Sequence, residues 1–372
     1  MLFVVATLPW LLLVVWLPFV LRRRPRLRDY PSRGGGGARV SVIVPTRNDA
    51  DRVGQCLATL LESQYDAFEI VVVDQASTDG TREIVDALRS RAGHALRLVE
   101  AGPVPEGWSV RSWSCRRGAE ESTGELLLFT DPGTVHDSDV LPRAVTVLES
   151  ESADLVTVRP ELTMEGFWER LVMPHIWLIL AARFPSAGVV NRARSPRNVM
   201  AHYQFLLFRR SVYEEIGGHG RVGPGEVEGL ALPQAVVSGG FRLFLVHGAS
   251  CLESRMVRTF DELNSDWTGA VPPASRSTVA PWAQVFVPWL IILAPLLLFA
   301  LPPAALLTSA LVPGGSETTR WALVTTLVAL VFWLAVYTRF RIRPAYAIAY
   351  PVGALVTAWI FLKSLLRGEP GA

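Results

Sequence analysis

The apolar residues of this 372-residue chain are segregated: residues 1–21 and 282–366 hold most of the long apolar runs, whereas 39–275 has ordinary globular composition. That pattern constrains the chain to a soluble domain joined to membrane segments, because about 20 apolar residues rising ~1.5 Å each match the hydrocarbon core of a bilayer. With 50% hydrophobic residues, 19% charged residues and a net charge of +2, the chain lacks the basic excess of a nucleic-acid binder. No nucleic-acid partner is expected.

Residues 1–21 are closed by Arg22, Arg23, Arg24, Arg26 and Arg28. A cleaved signal peptide would carry its charges before the apolar run and end in a small-residue cleavage site, so the segment reads as a membrane anchor. The positive-inside rule places its amino end outside, and the arginines with everything to about Ala280 in the cytoplasm. Residues 282–311 and 321–338 read as two further spans around the polar turn Pro313 to Arg320, and Arg339, Arg341 and Arg343 mark a return to the cytoplasm. The stretch 345–362 reads as a third carboxy-terminal span, with a re-entrant or interfacial segment as the alternative. Crossing would carry Lys363 and Arg367 outside, and Pro351 with Gly353 would interrupt a helix. The expected organisation is a transmembrane helix at 1–21, a basic and Gly-rich linker at 22–38 that includes Gly34 to Gly37, a cytoplasmic domain at 39–275 and a membrane region at 282–366. This describes a multi-pass plasma-membrane protein. Its three cysteines, Cys56, Cys115 and Cys251, lack metal-ligand spacing and are expected to pack, reduced, in the interior.

Within 39–275, β-branched runs alternate with helical patterns. Val40-Ser-Val-Ile-Val-Pro45 closes on Thr46, Arg47, Asn48 and Asp49, after which Val53, Leu57, Leu60 and Leu61 recur at helical spacing. Phe68 to Asp74 is a second run, followed by Gln75-Ala-Ser-Thr-Asp-Gly80 and a helix over 81–91. Leu96 to Glu100 makes a third strand, and Leu126 to Thr130 a further one that ends at Asp131. Such alternation gives an α/β fold with a mostly parallel sheet and ligands at the carboxyl ends of its strands.

In order and spacing, Val40 to Asp49, Ile70 to Thr81 and Leu126 to Asp131 resemble the family 2 glycosyltransferases of GT-A fold, and the likeness continues through Gly107 to Trp113, Phe205 to His219 and Arg255-Met256. It points in particular to the membrane-bound transferases associated with hopanoids and carotenoids. The resemblance implies sugar transfer from a nucleotide-sugar donor to a lipid-like acceptor at the membrane. It implies a donor site built from Pro45, Thr46, Asp49, Asp74, Gln75, Arg111 and Asp131, a divalent cation (Mg2+ or Mn2+) at Asp131, and catalytic roles for Glu228 and Arg255.

Four positions depart from the family's pattern. Gln75 stands for the second of two aspartates that reads the base, and its amide still offers a donor and an acceptor. Arg111 stands for a lysine and keeps a cation for the diphosphate, in a fork suited to bidentate contact. Gly133 stands for the second carboxylate of Asp-x-Asp, so Asp131 would hold a cation only with water and phosphate oxygens, which weakens metal binding. Gly229 stands for the aspartate that takes the acceptor proton. Glu228, then Glu226, are the neighbours that would replace it as base, a role worth about 10²- to 10⁴-fold in rate.

Each of these residues also has a purely structural reading. Asp74, Asp79 and Asp131 are natural turn formers, and Glu226 and Glu228 favour a helix amino terminus. His219 reads equally as a packed loop residue or an acceptor-site group, His136 as solvated, Trp108 and Trp113 as pocket or core, and Arg258 as a surface residue. Phe167 to Ala181, apolar and aromatic but short for a span, reads as an interfacial helix or a buried one. Two functions fit the chain: a membrane glycosyltransferase, or a catalytically degenerate GT-A-like protein that binds a nucleotide or partner without turnover, which the losses at Gln75, Gly133 and Gly229 favour. A transporter fits poorly, since the spans hold essentially no internal acidic or paired charges.

Overall fold

The structure, a computed structural model, describes residues 7–15, 25–33, 37–92, 95–223, 225–257, 259–309 and 316–366. Most of 1–21, Arg22 to Arg24, Gly34 to Gly36, Arg258, the turn residues before Ser316, and Arg367 lie outside the described residues.

The chain divides into two compact units, one made of Arg24–Thr163 with Ala187–Met256, the other containing Met164–Ser186 and Val257–Ala372. The sheet-bearing unit therefore closes at Met256 rather than at 275, and 164–186 does not belong to it. The reason is packing: the helices Phe167–Arg183 and Phe260–Thr278 lie against the apolar carboxy-terminal helix Tyr350–Leu366.

In the sheet unit the strands are β1 (Val40–Thr46), β2 (Phe68–Asp74), β3 (Leu96–Glu100), β4 (Leu126–Thr130), β5 (Thr134–His136), β6 (Leu155–Arg159), β7 (Glu161–Leu162), β8 (Phe205–Arg209), β9 (Leu243–His247) and β10 (Leu252–Ser254). Seven of them pair in the order β3-β2-β1-β4-β8-β6-β9. Only β8 runs antiparallel to its neighbours β4 and β6, so the sheet is mostly parallel, as expected. Helices cover the sheet, and β1 and β4 are buried along their whole length, which is why their sequences are mostly apolar. Val42, Val44, Ile70, Val72 and Leu128 share one core with Leu57 and Leu60 of the Val53–Leu61 helix. A smaller sheet, β5-β10-β7, lies in the same unit.

Strand order sets where the site falls. From β1 the chain steps outward to β2 and β3, and the Val110–Glu120 helix then carries it back to β4 on the other side of β1. That reversal opens a crevice at the carboxyl ends of β1 and β4. The opposite ends are tied shut. Glu69 accepts from Ser41 Oγ at 2.7 Å and from the Thr123 N–H at 2.8 Å, and the Gly124 N–H donates to Ser41 Oγ at 2.8 Å.

Among the described residues of the other unit, three helices are long and apolar enough to cross a membrane: Val287–Ser309, Glu317–Arg339 and Pro344–Leu366. The described part of the first apolar run, 7–15, is helical, and Trp10 Nε1 donates to the Leu298 carbonyl at 2.9 Å. Pro351 and Gly353 do not interrupt the last helix. Pro351 lies in the first turn of Tyr350–Leu366, where an N–H has no intrahelical partner, and Gly353 lets His175 approach, since a Cβ there would lie 2.5 Å from His175 Cε1. His175 stacks on Trp333 at 3.7 Å, and its ring nitrogens sit 3.1 Å from the carbonyls of Leu171 and Tyr350. The middle of the Phe167–Arg183 helix is therefore a buried helix of this unit. Phe167 and Trp168 at its start, and Ala182 near its end, are exposed.

At Gly124 a Cβ would lie 2.6 Å from Ser41 N and 2.8 Å from the Arg39 carbonyl, both main-chain atoms that the sheet holds in place. Gly124→Ala should therefore destabilise the domain by about 1–3 kcal/mol. A thermal melt of the purified chain that shows no fall in midpoint would contradict the packing described here.

Candidate active site

Ser109 caps the Val110–Glu120 helix by accepting from the Ser112 N–H at 3.0 Å, which sets Arg111 in the first turn, facing the end of β4. There the Arg111 guanidinium joins three elements. Nε donates to Glu228 Oε2 at 2.8 Å, Nη1 to Asp131 Oδ2 at 3.1 Å and Nη2 to the Tyr203 carbonyl at 3.3 Å, with the Tyr203 ring 4.8 Å beneath. Asp131 follows β4, and Glu228 opens the Glu228–Ser238 helix.

Asp131 serves the fold as well as the site, because Oδ1 accepts the Gly133 N–H at 2.9 Å and closes the turn. Around Gly133 there is little room. A Cβ would lie 3.1 Å from the Arg255 carbonyl and 3.3 Å from Arg52 Nη1, and the Arg255 N–H donates to the Gly133 carbonyl at 3.2 Å. Arg255 is thus brought here by its main chain. Arg52 is a residue that sequence reasoning missed; it pairs with Asp49. The one available signal was the i, i+3 spacing from Asp49, at which side chains meet across a helix start.

Glu228 is only 8% exposed, and its second oxygen lies 3.2 Å from His219 Nε2. His219 is fully buried, with Nδ1 2.9 Å from the Tyr213 hydroxyl and its ring 4.6 Å from Phe129, so it supports Glu228 from the core. Burial works against charge on Glu228, but Arg111 and then His219 outweigh it and pull the carboxyl down to about 2. Gly229 admits no side chain. A Cβ would fall 2.5 Å from the Ala201 carbonyl, and the Ala201 N–H donates to the Gly229 carbonyl at 2.7 Å. Glu226 accepts from the Gly223 N–H at 2.8 Å, within its own loop.

At the strand ends beside this cluster, the acidic residues mostly shape loops. Pro45 and Thr46 end β1, and Thr46 Oγ1 lies 3.4 Å from Asp74 Oδ1. Asp74 is buried and also accepts from the Ser77 N–H at 3.2 Å. Asp49 accepts from the Arg47 N–H at 2.9 Å and pairs with Arg52, while Asp79 forms the expected turn by accepting from the Ala50 and Thr81 N–H groups. Gln75 Nε2 donates to the Gly102 carbonyl at 2.9 Å, whereas its Oε1 is shielded from solvent with no partner among the described residues. Trp113 donates to the Ala101 carbonyl at 2.9 Å and meets Trp108 edge-on. His136 is not solvated: it is 5% exposed, lies 3.1 Å from Thr130 Oγ1, and burial lowers its pKa to about 3, so it stays neutral.

The donor groups do not suit a divalent cation as they stand. Asp131 has one oxygen on a guanidinium and the other on an N–H, and Gly133 adds no ligand. Cys115, His219 and Glu228 gather within 4.8 Å, but Arg111 lies against Glu228, both His219 nitrogens have partners, and burial pushes the Cys115 thiol up, keeping it protonated.

Residues 41–217 match the family described as Glycosyl transferase family 2. Glycosyltransferase AglE of Haloferax volcanii is 32% identical over 126 residues, which is 33% of this chain and 40% of the relative. The 4,4'-diaponeurosporenoate glycosyltransferase of Staphylococcus aureus is 22% identical over 254 residues, 68% of this chain and 65% of the relative. The chain thus spans less than two thirds of the length of either relative. Among solved structures, the mannosyltransferase PcManGT from Pyrobaculum calidifontis, in complex with GDP-Man and Mn2+, aligns over 98% of this chain and 95% of its own. Its TM-score is 0.54 at 20% identity, a likeness of fold. Strand order, strand-end motifs and these matches agree: the sheet-bearing unit has the GT-A fold, and residues 41–217 are similar to the family 2 glycosyltransferases.

Proposed function

We propose that the chain transfers a glycosyl group from a nucleotide-sugar donor to a lipid-like acceptor at the cytoplasmic face of a membrane. The observation that carries this reading is the Arg111 cluster at the crevice between β1 and β4, where an open α/β sheet binds its ligand. In the reaction the bond from the anomeric carbon to the diphosphate oxygen breaks, a bond to the acceptor hydroxyl oxygen forms, and the hydroxyl proton is released. Negative charge builds on the departing nucleoside diphosphate, and Arg111 is the cation placed to stabilise it. At the donor's other end, Gln75 follows Asp74 at the end of β2, and its Oε1, shielded and without a partner among the described residues, is an acceptor for a base N–H once a ligand opens that shielding.

Glu228 fits the base role poorly. A carboxylate held near 2 by a guanidinium has little affinity for a proton at neutral pH, so its supported role is to hold Arg111 in place. For the acceptor, support comes from the three helices long and apolar enough to cross a membrane, and from a relative named for 4,4'-diaponeurosporenoate. For the side of the membrane it comes from Arg339, Arg341 and Arg343, which follow the second of those helices.

The direct test is release of UDP or GDP from nucleotide sugars by the purified full chain in lipid nanodiscs, with and without added amphiphilic alcohols. Acceptor-dependent release is expected, and Arg111→Gln should lower it by about 10²- to 10³-fold. Nucleotide binding without turnover across donors and acceptors would sink the transfer reading in favour of a degenerate binder.

Glu228 also gives a pH prediction. Its pKa is depressed in the folded state, so its contribution to stability is complete above the ordinary glutamate value of about 4.3 and is lost as pH falls toward about 2. The stability gap between the native chain and Glu228→Gln should be constant from neutral pH down to about pH 5, then narrow. Denaturant titrations at several pH values measure it, and a gap that widens on acidification would rule the ion pair out.

A further inference from the structure

We infer that the Arg111 guanidinium takes the place of a divalent cation on the donor diphosphate, so that this domain binds its nucleotide without metal. The inference rests on the nucleotide-sugar reading above. A cation facing a diphosphate neutralises charge and holds oxygens in fixed directions, and Arg111 is equipped for both. Of the five N–H donors of an arginine, three go to Glu228, Asp131 and the Tyr203 carbonyl. Among the described residues one N–H on each of Nη1 and Nη2 has no acceptor, and two such donors on one guanidinium are what a bidentate phosphate contact requires. The Arg111 side chain is 27% exposed, open to a ligand, while its anchor Glu228 is 8% exposed and locked against His219.

The same geometry works against a metal ion. To use Asp131, an ion would have to displace Arg111 from Oδ2 or the Gly133 N–H from Oδ1. A second carboxylate at 133 is absent, and the space it would occupy is bounded by Arg52 Nη1, 3.3 Å from an ideal Cβ. A guanidinium there repels a divalent ion and favours phosphate oxygens. The losses at the acidic positions and the arginines around them are therefore one arrangement, in which fixed positive side chains stand where the family's pattern places an ion between carboxylates.

The test is calorimetric titration of UDP and of GDP into the purified full chain in detergent micelles, once in EDTA and once in Mn2+. The dissociation constant of whichever nucleotide binds should agree between the two conditions within about fivefold, ~1 kcal/mol. Binding that is tighter in Mn2+ by more than that overturns the inference and leaves the donor reading standing. Failure of both nucleotides to bind in either condition overturns the donor reading and the inference with it. This comparison needs no substitution. As a second arm, Arg111→Gln should weaken binding in EDTA by about tenfold or more, and Arg111→Lys, a point charge without the fork, by less. A folded Arg111→Gln that binds in EDTA as tightly as the native chain also overturns it.

Discussion

The position of β4 beside β1, rather than beyond β3, is the constraint on which the site depends. Because β2 and β3 have already been laid down on one side, the chain must return across β1, and the Val110–Glu120 helix makes that crossing. The first turn of this helix therefore arrives at the carboxyl end of the strand that follows it. Arg111 and Asp131, twenty residues apart in sequence, meet at 3.1 Å as a consequence of topology. The helix that opens with Glu228 completes the arrangement from the β8 side of the sheet.

The meeting has an energetic logic. A guanidinium that is mostly shielded from water carries a desolvation cost, and two carboxylates within hydrogen-bond distance offset it. Each carboxylate is held in turn by the fold: Asp131 by the turn at Gly133, Glu228 by His219, and His219 by the Tyr213 hydroxyl. Removing either carboxylate would leave a buried cation with one partner and would loosen the other. Such a cluster is preorganised, so in the proposed transfer little rearrangement would be needed as negative charge develops in front of it.

Much of the domain was legible in the sequence, for physical reasons. Strands buried on both faces are mostly apolar, and β1 and β2 announce themselves through β-branched residues and β4 through a Leu and Phe run. Asp131, Arg111 and Glu228 were singled out through the family resemblance, and the fold brings these three side chains together. The boundaries were harder. Phe167–Arg183 has too few apolar residues in a row to read as part of a membrane unit, and its burial comes from Trp333, Tyr337 and Tyr350, far along the chain. Arg52 was hard to find for a similar reason: its spacing from Asp49 is a local signal, but its place beside Gly133 depends on how distant segments fold. His136, beside a strand end and next to Asp137, looked solvated, yet β5 pairs with β10 and buries it against Thr130.

The two glycines that replace carboxylates differ in kind. At Gly229 the main chain itself fills the space, with the Ala201 carbonyl 2.5 Å from an ideal Cβ, so an aspartate could return only if the backbone moved. At Gly133 the nearest atoms stand at 3.1 and 3.3 Å, a tight fit that side chains can relieve. The first loss is thus built into the path of the chain, whereas the second is a matter of charge, because a carboxylate at 133 would meet Arg52 and compete with Asp49 for it. A chain that had merely lost its chemistry would have no reason to keep Arg111 paired, half-buried and set on a helix capped by Ser109. The retained order around that one guanidinium, more than any single acidic residue, argues that the crevice still receives an anionic ligand.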